Sequence, residues 1–162
     1  MADETPEGMT RIRPATAGDA PALAALRYEF RAGLVKAAEP REAFVGRCAD
    51  WMARQLGDTA SGWLCWIAED GDEAVGNVWV YRLPKVPNPV GEPEAHAYVT
   101  NLFVRPAFRG GMGSRLLEAA LAWCRSERVD SVVLWPTPES RSLYARHGFG
   151  DAHDIMELSV SG

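Results

Sequence analysis

The most constraining stretch of this chain is Leu102-Phe-Val-Arg-Pro-Ala-Phe-Arg-Gly-Gly-Met-Gly-Ser-Arg-Leu-Leu117. An apolar strand pattern ends at Val104, and Pro106 stops it because proline has no N–H to give a ladder. Gly110, Gly111 and Gly113 follow Arg109, and a strong helical period starts at once. Three glycines in four residues remove side chains where a ligand would otherwise be kept off the backbone. A helix start leaves several N–H groups without partners and carries the positive end of the dipole. Together these features make an anion site suited to a diphosphate. Arg109 adds a cation with forked donors. The competing reading is a tight strand-to-helix turn with no ligand. A Walker loop is excluded, since no GxxxxGK[ST] is present, and so is a dinucleotide fingerprint, since GxGxxG is missing.

The rest of the chain frames that turn. Thr10 to Pro14 reads as a short strand. Thr16 or Asp19 caps a helix with Pro21 in its first turn and Leu23, Leu26 and Phe30 in its apolar stripe. Arg41 to Leu56 repeats apolar residues at helical spacing and ends at Gly57. Trp63–Ala68 and Ala74–Arg82 read as strands of a hairpin turning at Asp70-Gly71. Leu83–Glu94 holds four prolines and reads as a loop long enough to shape a site. His96–Val104 is a strand whose far half is apolar on both faces, which places it centrally in the sheet. Ser114–Arg125 is a helix, Ser131–Trp135 a short apolar strand, and Met156–Val160 a last strand. Thr137 and Pro138 open one more helix, and Gly148 closes it. Antiparallel strands therefore come first, then a strand–helix–strand crossover that is parallel and right-handed.

At 162 residues the chain has the usual size of one domain. Residues 1–9 read as a disordered, acidic end and 10–162 as a single domain. There is no signal pattern and no run of about 18 apolar residues, so a membrane partner is not expected and a cytoplasmic setting is. Net charge is −5 with no basic stripe, which argues against nucleic acid and mildly favours cationic partners. Cys48, Cys65 and Cys124 show neither CxxC nor a disulfide framework, and no metal site is expected.

Val104-Arg-Pro106, then Arg109-Gly110 and Gly111-Met112-Gly113, then an amphipathic helix resembles the acyl-CoA-binding motif of the GNAT acetyltransferases. Leu143-Tyr144-Ala-Arg-His-Gly148-Phe149 resembles the family's second hallmark, a helical tyrosine followed by Gly-Phe. Two linked motifs at suitable spacing are far more specific than either alone. The glycine turn is one residue shorter than the family's usual one, and anchoring on Gly111 and Gly113 keeps the pair that opens the helix.

The resemblance implies an α/β (α+β) fold: a mixed, mostly antiparallel sheet of six to seven strands, about four helices and a splayed parallel pair. It implies an N-acetyltransferase that uses acetyl-CoA as co-substrate and a small-molecule amine or peptide N-terminus as acceptor. Exposed sheet edges leave room for a homodimer. The backbone of Leu102, Phe103 and Val104 would pair with the pantetheine arm. Arg109, Gly110, Gly111, Met112, Gly113 and Ser114 would hold the phosphates, and Thr137 and Ser140 would contact the cofactor. Tyr144 would protonate the leaving thiolate, since a phenol keeps its proton at neutral pH. No general base is evident; Glu29, Glu94 and His96 are the candidates, and Asn101 would orient substrate or pin a bulge. Trp51 or Trp79 would line the acceptor pocket, otherwise the core. Acceptor pockets come from Arg31–Arg47 and Leu83–Glu94. The alternative is a non-catalytic acyl-CoA-binding sensor, which needs the phosphate loop but no acid.

Overall fold

The computed structural model describes residues 10–161; the stretch expected to be disordered, 1–9, lies outside them. Strand β1 (Thr10–Pro14) leads through a 3-10 turn at Ala17–Asp19 into helix α1 (Ala20–Ala32). The turn is capped by Asp19, whose carboxylate accepts the Thr16 N–H at 2.7 Å. Helix α2 (Arg41–Gly57) follows, then the hairpin β2 (Trp63–Asp70) and β3 (Glu73–Pro84). Gly71 takes a positive φ of 60° in that hairpin, as the Asp-Gly signal requires. Strand β4 (Ala95–Val104), helix α3 (Met112–Ser126), strand β5 (Val132–Val133) and helix α4 (Arg141–Arg146) complete the order.

The five strands lie in sequence order, β1-β2-β3-β4-β5. The first three pairings are antiparallel and β4–β5 is parallel. Side chains alternate across the sheet with period two. Trp66, Ala68, Val78, Val80, Ala97 and Val99 face α3, which supplies Leu116, Leu117, Ala120, Leu121 and Cys124. Cys65, Ile67 and Trp79 face the other way, onto Leu23 and Ala24 of α1 and Met52 of α2. The sheet is thus sandwiched, and its two cores fix α1 on one side and α3 on the other.

Two expectations fail at the C-terminal end. Among the described residues the sheet has five strands rather than six to seven, and Met156–Val160 forms no strand. A strand needs a ladder to join. Here the neighbouring β5 holds regular pairing for two residues rather than the expected five, because only Val132 and Val133 pair with β4 before Pro136 turns the chain. The segment after Gly150 is exposed and tied back by Trp135, whose Nε1–H donates to Glu157 at 2.7 Å. Among the described residues no helix is long and apolar enough to cross a membrane.

Candidate active site

The shortness of β5 opens the site. Strand β5 pairs only with Ala97 and Tyr98 of β4, so from Val99 to Val104 that edge of β4 has no strand beside it among the described residues. The opposite edge stays bonded to β3, but with a bulge. Trp79 pairs with Thr100 and Asn77 with Phe103, so Asn101 and Leu102 together face Val78. Asn101 makes the bulge with a positive φ of 54°, a conformation that asparagine tolerates better than most residues.

The bulge changes which amides look into the gap. The Ala97 N–H points to the β5 side, donating to Ser131 at 2.9 Å. Alternation puts Val99 on the same side, and one inserted residue then hands the phase to Leu102 and Val104. The hydrogen bonds agree: the Val104 carbonyl accepts from Arg109 Nε at 3.0 Å, while the Arg105 N–H turns back to Val75 on β3 at 2.8 Å. Leu102 and Val104 therefore turn their main-chain groups toward the gap, where Arg109 already occupies the Val104 carbonyl.

The gap continues into a groove of about 780 Å³. Its far end is the glycine turn. Gly110 (φ 132°) and Gly111 (φ 106°) occupy the left-handed region, and Gly111 is the N-cap of α3. These conformations disfavour any side chain, so both glycines are dictated by the turn itself. Gly113 is different: it lies in the helix, and a Cβ there would meet only Leu143 Cδ2, at 3.7 Å. Of the sequence-predicted cofactor residues, Leu102, Phe103, Val104, Arg109, Gly110, Gly111, Gly113, Ser114, Thr137 and Ser140 all line the groove. Met112 does not; its side chain packs in the α3 core, which leaves only its amide for a ligand.

The wall opposite β4 comes from α4. Thr137 and Ser140 clasp each other ahead of it, the Thr137 N–H donating to Ser140 Oγ at 2.9 Å. Gly148 (φ 91°) ends the segment, and the Phe149 N–H returns to the Tyr144 carbonyl at 3.1 Å. Phe149 thereby sets its ring edge-on to Tyr144, centroids 5.6 Å apart. Tyr144 lines the groove, and burial pushes its phenol above the usual tyrosine value. His147 Nε2 lies 3.0 Å from Ser114 Oγ, so the two motifs are linked directly.

The remaining wall is α1, where Arg27, Phe30 and Arg31 reach the groove. Phe30 stacks on Phe103 with centroids 5.2 Å apart. Arg27 is half-buried and donates to Asn101 Oδ1 at 3.1 Å; Asn101 Nδ2 in turn donates to the buried Asn77 Oδ1 at 3.2 Å. Burial, aided by Arg31, lowers the Arg27 pKa.

A family model described as the acetyltransferase (GNAT) family matches residues 26–149, well over half of the chain. The chain belongs to the GNAT acetyltransferase family. No curated protein sequence matches it. Solved structures give the same fold at low identity. One is a predicted acetyltransferase with acetyl-CoA from Clostridium acetobutylicum, at TM-score 0.74 and 20% identity over 93% of this chain and 96% of that one. A GCN5-related N-acetyltransferase from Ralstonia eutropha JMP134 scores 0.70 at 21% identity, over 94% and 100%. Glucosamine-6-phosphate N-acetyltransferase from Arabidopsis thaliana scores 0.66 at 16%, over 94% and 99%.

As a GNAT chain it lacks the expected base candidates in its groove. Glu29 is held by Arg105 at 2.8 and 2.9 Å, His96 faces Ser131 at 2.8 Å, and Glu94 accepts through its carbonyl from the Lys85 N–H. None of the three lines the groove, and neither do Trp51, Trp79 or any residue of Leu83–Glu94. Trp51 and Trp79 belong instead to an aromatic cluster with Trp63, and Lys85 folds its loop back onto Asp130 at 2.8 Å. Tyr98 and Trp135, packed edge to face at 5.2 Å, join Phe30, Phe103 and Tyr144 in the aromatic lining. Sequence reasoning passed over Tyr98, Trp135 and Arg27. The available signal was Arg27 itself, four residues after Leu23 and next to Leu26, where the helical period asks for an apolar residue.

Proposed function

We propose that this acetyltransferase moves an acetyl group from acetyl-CoA to a primary amine by direct attack, without a covalent enzyme intermediate. The observation that carries the reading is the continuous path from the free edge of β4 to the glycine start of α3, with Tyr144 on the facing wall. A diphosphate fits the start of α3, where the amides of Met112, Gly113 and Ser114 are free of intrahelical partners and Arg109 stands beside them. Thr137 and Ser140 flank the arm, and the main chain of Leu102 and Val104 pairs with its amides as an added strand would, while the Phe103 main chain stays on the β3 side.

The Leu102 N–H faces the gap at the bulge and holds the thioester oxygen, then the oxyanion; such a donor is worth about 3 kcal/mol of barrier. The neutral amine adds to the thioester carbonyl carbon, and the oxyanion so formed restores its C=O bond as the C–S bond breaks. The amine proton leaves to water, the thiolate takes the Tyr144 proton, and solvent returns a proton to the phenolate. Burial favours that role, because it keeps the phenol protonated at neutral pH.

The test is thiol release by purified protein with acetyl-CoA and a panel of amines: amino acids, amino sugars, polyamines and peptide N-termini. Thiol release with equal formation of amide is expected for at least one class. Acetyl-CoA binding with no release across the panel would assign a sensor instead.

A further inference from the structure

The groove's charge is the reverse of the whole chain's. The protein carries a net −5, yet four groove-lining residues are arginines (27, 31, 109 and 146) and a single one, Glu139, is a carboxylate. Arg109 stands at the glycine turn, where a diphosphate accounts for it. Arg27 is elsewhere: it bonds to Asn101, three residues back along β4 from Val104, which is about 10 Å of strand. Arg31 follows Arg27 by one helical turn, so both point from one face of α1. The two also line a side pocket of about 300 Å³ that adds Tyr28, Lys36, Glu39 and Phe44. Glu39, its carboxylate, is already paired with Arg47.

Among the described residues neither Arg27 nor Arg31 has a carboxylate within ion-pair distance, although Arg11, Arg13, Arg47, Arg105 and Arg141 each do. A half-buried cation without a counter-ion is costly. The Arg27 guanidinium has five N–H donors, and among the described residues it finds one side-chain acceptor. Carboxylate and phosphate oxygens are the partners that fit such a fork. The nearest acidic side chain on α1, Glu29, is taken by Arg105.

We propose that the acceptor is a small amine bearing an anionic oxygen group, carboxylate or phosphate, which Arg27 and Arg31 hold beside the β4 bulge. The proposal rests on the transferase reading above and adds the acceptor's chemical class. It runs against the expectation from net charge, because local charge at the groove decides what is held there. The side pocket's size suits a small molecule.

The experiment compares matched acceptors in the thiol-release assay: amino acids against their carboxamides, and amino-sugar phosphates against the free amino sugars. The two arms separate carboxylate from phosphate. The anionic member of at least one pair is expected to have kcat/KM about 10-fold higher or more. In Arg31→Ala, which alters an exposed side chain, KM for that anionic acceptor should rise about 10-fold. KM for its neutral counterpart and the affinity for acetyl-CoA should stay within about 3-fold. Arg27→Lys keeps the charge but not the fork and should lose part of the same preference. Equal or better use of neutral amines or polyamines would overturn the proposal and leave the transferase standing. A 10-fold loss of acetyl-CoA affinity in Arg31→Ala would also overturn it, by giving that charge to the co-substrate. Absence of thiol release with every acceptor would overturn the transferase reading and this proposal with it.

Discussion

The two ends of the groove are built from different material. At the α3 end the functional surface is backbone: Gly110 and Gly111 in the left-handed region, bare amides at the helix start, the free edge of β4. At the α1 end it is side chain: Arg27, Phe30 and Arg31, carried by a helix that meets the sheet through side-chain packing and side-chain hydrogen bonds. In the function proposed above, the backbone surface receives the acetyl-CoA co-substrate. Side-chain surface can be changed one residue at a time without disturbing the turn, which suits the part that selects an acceptor.

The sharpest way to break this comparison is to place charge on the backbone end. Gly113→Glu is the clean variant, since Gly113 is helical and its added Cβ meets nothing closer than 3.7 Å. A carboxylate beside a diphosphate should cost acetyl-CoA affinity on the order of 100-fold by calorimetry, with an unchanged thermal midpoint. The same change at Gly111 would confuse strain with charge, because its φ is 106°. Unaltered affinity in Gly113→Glu would remove the turn from the site.

Tyr144 lies between the two ends. Tyr144→Phe keeps the ring against Phe149 and removes only the acid. Turnover should fall about 10-fold or more while acetyl-CoA affinity is retained. Normal turnover would dismiss Tyr144 from proton transfer.

The smallest effect concerns how α1 is held. Arg13 bonds Asp19 at 2.8 and 2.9 Å and Glu69 at 2.7 Å, clamping the start of α1 to β1 and β2. The Arg13 hydrogen bonds bring the Asp19 pKa down from 3.8 to about 2. A depressed carboxylate stabilises the fold above its unfolded pKa and loses that contribution as pH falls through the folded value. Between about pH 4 and pH 2 the clamp should therefore release, costing about 1 kcal/mol after allowance for solvent screening. Urea unfolding at the two pH values checks this, and Asp19→Asn should shrink the difference. An equal pH effect in wild type and variant would contradict the assignment.

The contrast between the ends also explains what was legible in sequence. The turn, the hairpin at Asp70-Gly71 and the helix limits rest on local signals, such as a glycine where φ must be positive or an apolar residue every three or four positions. Tyr144 and Gly148 fell within one short motif for the same reason. Arg27 meets Asn101 across 74 positions of chain, so no local window contains that contact. The missing last strand has a similar cause. Met156, Leu158 and Val160 carry a strand pattern, but a strand also needs a free ladder, and β5 is too short to supply one. Glu29 looked available as a base because its partner, Arg105, lies 76 residues away.

The central claim is that the start of α3 receives a diphosphate. A crystal structure with CoA tests it directly. The account predicts diphosphate oxygens within hydrogen-bond distance of the amides between Gly111 and Ser114, with the pantetheine arm along Leu102–Val104. A nucleotide bound elsewhere, with those amides facing solvent, would contradict it.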